Sequence, residues 1–173
     1  MEILLDFIKI LLPAATVLYA VFLVVKAFLN KEYEKKTLEI KMENTKIVLP
    51  IRLQAYERVC LFLERISLNN IIIRVNEPVY TSLQLQQRLL SEIRNEYNHN
   101  VSQQVYMSDE AWSVVRRSME DIVGIINMAG EQVPQDSRGI ELAKMIFEIL
   151  LQRNQDPVQL ALQYVKNEIR VVF

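Results

Sequence analysis

The feature that most constrains this chain is a run of sixteen residues, from Ile10 to Val25, that contains no Asp, Glu, Lys or Arg. Lys9 and Lys26 close the two ends of the run. As an α-helix it spans about 24 Å, somewhat less than the roughly 30 Å hydrocarbon core of a bilayer. Snorkelling of the two lysines and the apolar residues just outside them supply the remaining length. We therefore predict a transmembrane anchor over residues 1–29.

The run has two alternative interpretations besides an anchor. A cleaved signal peptide begins with a basic stretch and ends at small residues, whereas this chain begins with Glu2 and Asp6 and has bulky residues around Lys26. A buried helix of a soluble protein is the second alternative.

Lysine residues predict the orientation of the anchor. One lysine, Lys9, lies in the flank before the run, whereas six lie in the flank after it, up to residue 46: Lys26, Lys31, Lys35, Lys36, Lys41 and Lys46. By the positive-inside rule, the N-terminus then lies outside the membrane and the C-terminal part lies in the cytoplasm. We expect the first four of these six lysines to contact lipid headgroups at the membrane edge. The single Cys60 is compatible with a reducing compartment.

One helical face of the anchor, with positions spaced alternately by four and three, carries most of its small or polar residues, although Ala14 and Ala15 lie off it. The residues of this face are Glu2, Asp6, Lys9, Pro13, Thr16, Ala20, Leu23 and Ala27. Small side chains let helices approach closely in lipid, and Thr can form a hydrogen bond to a neighbouring helix. We interpret Asp6, Lys9, Thr16 and Ala20 as a contact face for another transmembrane helix. The alternative is that the acidic residues simply lie among the outer headgroups.

A charged stalk and a helical domain follow the anchor. Residues 30–46 hold five Lys and four Glu without Gly or Pro, so we expect the anchor helix to continue through them. Tyr33, Ile40 and Ile47 lie seven residues apart, which is too short a series to establish a coiled coil. All Arg and Gln residues come after the stalk. This shift in composition places the start of a cytoplasmic domain at residue 47, and the domain extends to residue 173.

The predicted fold is mainly α: a transmembrane helix that continues into the stalk, then a bundle of about five helices. Their starts are marked by Pro50 at a first helical position, by the capping box of Thr81 and Gln84, by Ser108, by Asp136 or Ser137, and by Asp156 with Pro157. Two further segments, Ile71–Val75 and Ser102–Met107, are interpreted as packed connectors or a short strand pair.

The chain offers little catalytic chemistry. Three Gly, one Cys and one His exclude Gly-rich phosphate loops, a disulfide framework and a closed Cys/His zinc site within one chain. A net charge of −1 argues against nucleic-acid binding. We expect no catalytic residue, cofactor or metal. His99 is interpreted as a helix-end residue and Cys60 as a buried structural thiol.

Charged side chains of the domain are interpreted mostly as surface residues. Glu92 and Glu96, four residues apart, favour a solvated face, although they could meet Glu64 in space. Arg116 and Arg117 flank the apolar stripe of one long helix. They could dock an acidic partner, and the alternative is a salt-bridged surface.

Several segments resemble a bacterial family of uncharacterised, N-terminally anchored proteins. These segments are Leu49–Arg58, Leu61–Ile66, Glu96–Asn100 with Ser102–Gln104, Ser108–Trp112 and Lys166–Arg170. The resemblance covers nearly the whole chain. It implies a single-pass anchor in the cell (inner) membrane with a small cytoplasmic domain, and it brings no activity, substrate or catalytic residue.

The leading functional hypothesis is a membrane-tethered helical interaction module, an accessory subunit or scaffold at the cytoplasmic face. Its expected partners are membrane lipid and either another membrane protein or a second copy, with no nucleic acid and no identified small-molecule substrate. One alternative is a sensor of the lipid surface or of envelope stress. Another is an enzyme that uses an unrecognised carboxylate and arginine site.

Overall fold

The computed structural model of the chain describes residues 2–153 and 155–172, with side chains described from Leu11 to Val171 except at position 154. Its helices are α1 (Glu2–Ile66), α2 (Leu68–Val75), α3 (Ser82–Asn100), α4 (Asp109–Gln132), α5 (Gly139–Gln152) and α6 (Pro157–Val172), with a 3₁₀ helix over Val101–Tyr106. The prediction of a mainly α protein with a long apolar N-terminal helix is confirmed. The chain divides into two compact units, one up to Leu49 and one from Pro50 onward.

The first unit consists of the N-terminal part of α1. Every described side chain from Leu11 to Leu49 is exposed, including the large apolar ones. Within the described residues, α1 is the one helix that is long and apolar enough to cross a membrane. Its apolar surface is therefore not covered by the rest of the described chain.

Pro50 does not begin a helix, contrary to the prediction. Residues on both sides of it belong to α1, which runs from Glu2 to Ile66. Proline cannot donate to the carbonyl of the residue four positions earlier, Lys46, and its ring crowds that carbonyl. Both residues are exposed, so water can hydrate the freed carbonyl. The remaining hydrogen bonds of a long helix keep the segment helical.

The possible strand pair is not formed either. Ile71–Val75 lies in α2, where Leu68, Ile71, Ile72 and Val75 are buried on one face at helical spacing. Ser102–Met107 lies mostly in the 3₁₀ helix, and Met107 is its extended C-cap. The burial of residues three and four apart thus outweighed the strand preference of the β-branched side chains.

Three of the predicted helix starts are confirmed by their hydrogen bonds. The Thr81 hydroxyl accepts from the Gln84 N–H at 3.2 Å, and the Gln84 side chain accepts from the Thr81 N–H at 3.0 Å. The Ser108 hydroxyl accepts from the Ala111 N–H at 3.1 Å, and the Asp156 carboxylate accepts from the Val158 N–H at 2.8 Å. These caps fix where α3, α4 and α6 begin.

The start of α5 differs from the prediction. It begins at Gly139 rather than after Asp136 or Ser137. The Gly139 N–H donates to the Tyr80 carbonyl at 2.8 Å, and the Ser82 N–H donates to the Ser137 carbonyl at 2.8 Å. These two bonds hold the backbone around Arg138 extended beside Thr81, which delays the helix.

The core of the second unit surrounds α4, which packs against α3, α5 and α6. The end of α1 and all of α2 complete the bundle with buried apolar faces. The largest fully buried side chains are Tyr56, Phe62, Leu63, Ile66, Ile71, Leu85, Leu89, Ile93, Ile122, Ile125, Ile126 and Leu142. The bundle therefore offers rigid helix surfaces on which functional side chains can be held.

Candidate functional site

The predicted contact face of the anchor is described only in part. The Thr16 hydroxyl donates to the Pro13 carbonyl of the same helix at 2.8 Å. This internal bond satisfies the hydroxyl proton and leaves the oxygen able to accept from a neighbour. Ala20 is exposed. The side chains of Asp6 and Lys9 lie outside the described part of the chain.

The four predicted membrane-edge lysines are all exposed on α1. The Lys26 ammonium lies 6.0 Å from the centroid of the Phe22 ring, at the outer limit of a cation–π contact. Lys35 lies 3.9 Å from the Glu39 carboxylate one turn later. Lys31 and Lys36 lie on the same exposed stretch. The first unit thus presents cations directly after its apolar surface.

A polar cluster in the second unit joins three helices. The Tyr56 hydroxyl on α1 donates to the Glu168 carboxylate on α6 at 2.5 Å. The same carboxylate accepts from the Ser108 N–H at 3.1 Å and from the Ser108 hydroxyl at 2.9 Å, at the start of α4. The Arg52 guanidinium donates to the Tyr106 carbonyl at 3.3 Å. Three of the segments that carry the family resemblance therefore meet here.

The environment of this polar cluster keeps Tyr56 protonated. Burial raises the pKa of Tyr56 above its ordinary value of 10.0, and the Glu168 carboxylate raises it further, while Arg52 opposes the shift. Glu168 accepts three hydrogen bonds and also lies at the positive end of α4. The hydrogen bonds of both side chains thus hold α1, α4 and α6 together.

An open cavity of about 560 Å³ lies beside the polar cluster. Its polar lining residues belong to the cluster or lie next to it, and Met107 and Val171 supply apolar surface. The lining residues are Arg52, Met107, Ser108, Tyr164, Asn167, Glu168 and Val171. Within it, the Glu168 and Ser108 hydrogen bonds are directed into the protein.

The glutamates of α3 are ion-paired rather than simply solvated. Glu96 lies 2.6 Å from the Arg65 guanidinium on α1. Glu92 lies 3.1 Å from Arg88 and 4.0 Å from Arg74 on α2. The interpretation of Glu92 and Glu96 as a free solvated face was therefore wrong, because α1 and α2 bring arginines to them. These pairs fasten the first helices of the bundle to α3.

The remaining reactive side chains are placed separately. Cys60 is half-buried, and burial raises the pKa of its thiol, which disfavours the reactive thiolate. His99 is exposed in the last turn of α3. Among the side chains of residues 11–153 and 155–171, no group of three His, Cys, Asp or Glu comes together as a metal ion requires.

Arg116 and Arg117 are exposed on α4, as a docking surface requires. Arg116 lies 3.7 Å from Glu120, one turn along the same exposed face. For Arg117, no ion pair is found among the described residues. Surface pairs such as Arg116–Glu120 are worth roughly 0.2–1 kcal/mol, so a partner can displace them at little cost.

Sequence reasoning missed a groove on the side of α4 that carries Arg116. It has a volume of about 340 Å³ and runs between α3 and α4. Its lining residues are Leu90, Ile93, Arg94, Tyr97, Met119, Val123 and Asn127. Below one end, the Tyr97 ring stacks on Trp112 with centroids 5.9 Å apart. Arg94 is exposed at the edge of the groove, without an ion pair inside the described ranges.

A sequence signal for this groove existed but was weak. Leu90 follows the buried Leu89 and lies just off the stripe that α3 turns toward the core. Half-buried apolar residues next to a fully buried stripe mark the rim of a helix pair. The other rim comes from a second helix, and the periodicity of one helix does not predict which helix packs against it.

Comparison with known proteins places the chain in a family. No curated protein and no solved structure matches it. The family described as "Family of unknown function (DUF7935)" matches residues 2–172. The resemblance to an uncharacterised family over nearly the whole chain is thereby confirmed. The chain belongs to the DUF7935 family of unknown function.

Proposed function

We propose that this protein is a membrane-tethered helical interaction module, an accessory subunit or scaffold at the cytoplasmic face of a bacterial inner membrane. The observation that carries the proposal is the exposed apolar surface of α1 between Leu11 and Leu29. The folded bundle from Pro50 onward is the part that would meet a partner.

The free energy of removing apolar side chains from water favours a lipid environment around residues 11–29 of α1. Burying one Leu, Val or Phe side chain away from water is worth roughly 1.5–3 kcal/mol, and Leu11–Leu29 exposes many of them. No described part of the chain covers these side chains. The lysines that follow Val25 favour retention of the C-terminal part in the cytoplasm.

The groove between α3 and α4 is the proposed docking surface of the bundle. Its apolar floor and the exposed Arg94 and Arg116 suit an amphipathic segment that carries acidic residues beside its apolar face. Arg117 lies 100° further around α4, and we propose that it contacts the same partner outside the groove. Arg116 lies on the groove side of α4, since it is one turn from both Trp112 and Met119. Within lipid, Asp6, Lys9, Thr16 and Ala20 are proposed to contact a transmembrane helix of the partner.

Membrane fractionation of two matched double variants tests the tether. A Lys at the centre of a membrane helix costs about 2.5–3.5 kcal/mol by insertion scales. We expect Leu18→Lys with Val21→Lys to move full-length protein from the membrane fraction to the soluble fraction. The control, Leu38→Lys with Met42→Lys, lies in the stalk of the same helix and should leave the protein in the membrane. Soluble wild-type protein after lysis would refute the tether.

Protease accessibility tests the orientation. Protease added to spheroplasts, in which the outer membrane is opened and the inner membrane is intact, should leave the domain after Pro50 undigested, and disrupting the inner membrane should expose it. Digestion in intact spheroplasts would place the domain on the other side and contradict the proposal.

Site-specific photo-crosslinking in native membranes tests the docking surface. A photoreactive residue at Val123 in the groove should form a defined heteromeric product. The same residue at Leu151, which is highly exposed on α5, serves as the control. Adding Arg94→Glu and Arg116→Glu should reduce the Val123 product several-fold. Equal products at both positions, or none at Val123, would argue against this groove.

A further inference from the structure

A second open cavity lies between the 3₁₀ helix and the part of α1 that belongs to the bundle. Its volume is about 420 Å³, and we call it the Arg58 cavity. The residues of α1 that line it are spaced by three and four and so share one helical face: Ile51, Gln54, Ala55 and Arg58. The 3₁₀ helix supplies the opposite wall with Ser102, Gln103, Val105 and Tyr106. No lining residue is shared with the cavity beside the polar cluster.

Hydrogen bonds hold both ends of the 3₁₀ wall of the Arg58 cavity. The Arg52 guanidinium on α1 donates to the Tyr106 carbonyl at 3.3 Å. At the other end, the Asn100 amide donates to the Glu96 carbonyl on α3 at 2.8 Å. The two walls are thereby fixed relative to each other, so a ligand would enter a pre-formed site.

Arg58 gives the cavity a positive charge without an internal counter-ion. Its side chain is exposed, and no ion pair for it is found among the described residues. The residues three and four positions away along α1 face Arg58, and none of them is acidic: Gln54, Ala55, Leu61 and Phe62. The lining residues also include no Asp or Glu. The cavity therefore favours an anionic ligand.

Gln103 brings hydrogen-bonding groups that the protein leaves largely unused. The residue is only 9% exposed. One N–H of its side-chain amide donates to the Ser102 hydroxyl at 3.3 Å, whereas its carbonyl oxygen has no hydrogen bond with the described residues. Since the side chain lines the cavity, its free N–H and its carbonyl oxygen are available to a ligand.

The walls also limit the charge and the body of the ligand. One guanidinium matches one carboxylate, because the two groups form a pair of parallel N–H···O bonds. A phosphate dianion would leave a second negative charge uncompensated. Beside the arginine, Ile51, Val105 and the Tyr106 ring offer apolar surface. The volume lies in the range of small-molecule sites.

We propose that the Arg58 cavity binds a small organic monocarboxylate with an apolar body. The carboxylate pairs with Arg58, a polar group of the ligand bonds to Gln103, and the body lies against Val105 and Tyr106. Because a partly exposed ion pair is weak, we expect millimolar affinity for a simple representative of this class. The proposal is independent of the membrane tether and of the groove between α3 and α4, since all lining residues belong to other surfaces of the bundle.

Ligand-observed fluorine NMR on the full chain in nanodiscs of zwitterionic lipid tests the proposal. The probes are para-fluorobenzoate and its neutral analogue para-fluorobenzamide, and empty nanodiscs give the background. We expect saturable broadening of the para-fluorobenzoate signal and several-fold weaker binding of the amide. Acetate keeps the charge without the apolar body, so it should compete several-fold less well than benzoate. Absence of saturable broadening, or equal binding of the two probes, overturns the proposal.

Two arginine variants locate the binding. Arg58→Gln removes the charge at an exposed side chain, so the fold should persist, and thermal unfolding checks this. It should lower the affinity for para-fluorobenzoate several-fold and leave that for para-fluorobenzamide unchanged. Arg138→Gln, which removes another exposed arginine at the start of α5, should change neither affinity. Equal affinities of the two variants for para-fluorobenzoate place the carboxylate elsewhere and overturn the proposal.

A charge reversal gives a gain of binding that damage to the fold would not produce. Arg58→Glu should lose para-fluorobenzoate and bind the cation para-fluorobenzylamine several-fold more tightly than the wild-type protein does. The shape and apolar wall of the cavity stay the same, so only the sign of the charge changes. If Arg58→Glu retains para-fluorobenzoate, or gains no affinity for the amine, Arg58 is not the charged contact and the proposal is overturned.

Discussion

Phe22 and Phe62 belong to the same helix, yet Phe22 is 56% exposed and Phe62 is 1% exposed. Residues 11–49 of α1 bury nothing within the described chain, whereas residues 55–66 contribute six side chains to the core: Ala55, Tyr56, Val59, Phe62, Leu63 and Ile66. Apolar content is therefore a poor guide to burial in this protein. What separates the two stretches is the presence of other helices to pack against, and this difference can be tested by mutation.

The largest expected effect separates the two phenylalanines. Phe62→Ala should lower the free energy of unfolding by about 3–5 kcal/mol, because it leaves a cavity in a close-packed core. Phe22→Ala on the exposed stretch should leave that free energy unchanged. Denaturant unfolding of the full chain in detergent micelles, followed through Trp112 fluorescence, measures both. Equal losses would mean that residues 11–49 also pack into a folded core.

The next effect concerns the polar cluster around Glu168. Glu168→Ala should destabilise the domain by about 2–3 kcal/mol, because a charged acceptor is lost and the buried Tyr56 hydroxyl is left without it. Glu168→Gln keeps one acceptor oxygen and should lose less. Glu39→Ala on the stalk is the matched control and should change little, since its ion pair is exposed. If Glu168→Ala left the free energy of unfolding unchanged, the cluster would not stabilise the bundle.

The pH dependence of stability should report on Tyr56. Its pKa is raised in the folded state, so the folded protein holds the phenol proton more tightly than the unfolded chain does. This contribution is complete below about pH 10, the ordinary phenol pKa, and is lost as the pH rises through the folded-state pKa. Tyr56→Phe should therefore flatten the alkaline decline measured by unfolding at a series of pH values. An unchanged decline would assign it to other groups.

The smallest expected effect compares two threonines. Thr81→Ala removes the capping box of α3 and should cost about 1 kcal/mol of domain stability. The Thr37 hydroxyl only donates to the Tyr33 carbonyl within the stalk at 2.8 Å, so Thr37→Ala should be neutral for the domain. Thermal unfolding of the two variants, compared with the wild-type protein, measures both changes in stability. A neutral Thr81→Ala would show that the helix start is fixed by its packing instead.

Local chemistry was readable from the sequence, and long-range contacts were not. Three helix starts could be predicted because each capping side chain bonds to a backbone N–H only two or three residues away. They are marked by Thr81 with Gln84, by Ser108, and by Asp156 with Pro157. The hydrogen bond between Tyr56 and Glu168 joins residues 112 positions apart, and no periodicity predicts it. Periodicity likewise does not predict that Arg65 of α1 pairs with Glu96, or that Arg74 of α2 lies beside Glu92.

The predictions for Pro50 and for Ile71–Val75 were wrong because, in each segment, helical hydrogen bonding or packing outweighed the local conformational preference of the residues. Pro50 is a good first residue of a helix, but the hydrogen-bonded turns on either side maintain α1 through it. Ile71–Val75 has the composition of a strand, but its apolar residues bury one helical face. Segment length and packing partners decided both cases. The candidate docking residues Arg116 and Arg117 were singled out from the sequence. The groove could not be predicted in this way, because it forms only where α3 pairs with α4.

The contact between Tyr56 and Glu168 also bears on the order of events during translation. α6 leaves the ribosome after α1 to α5, and it carries the carboxylate that both Tyr56 and the start of α4 use. Until α6 emerges, the nascent domain lacks this closing contact and the apolar surface that α6 lays against α4. The N-terminal part of α1 leaves the ribosome much earlier. Under the proposed membrane tether, its delivery to the membrane begins before the domain has completed its fold.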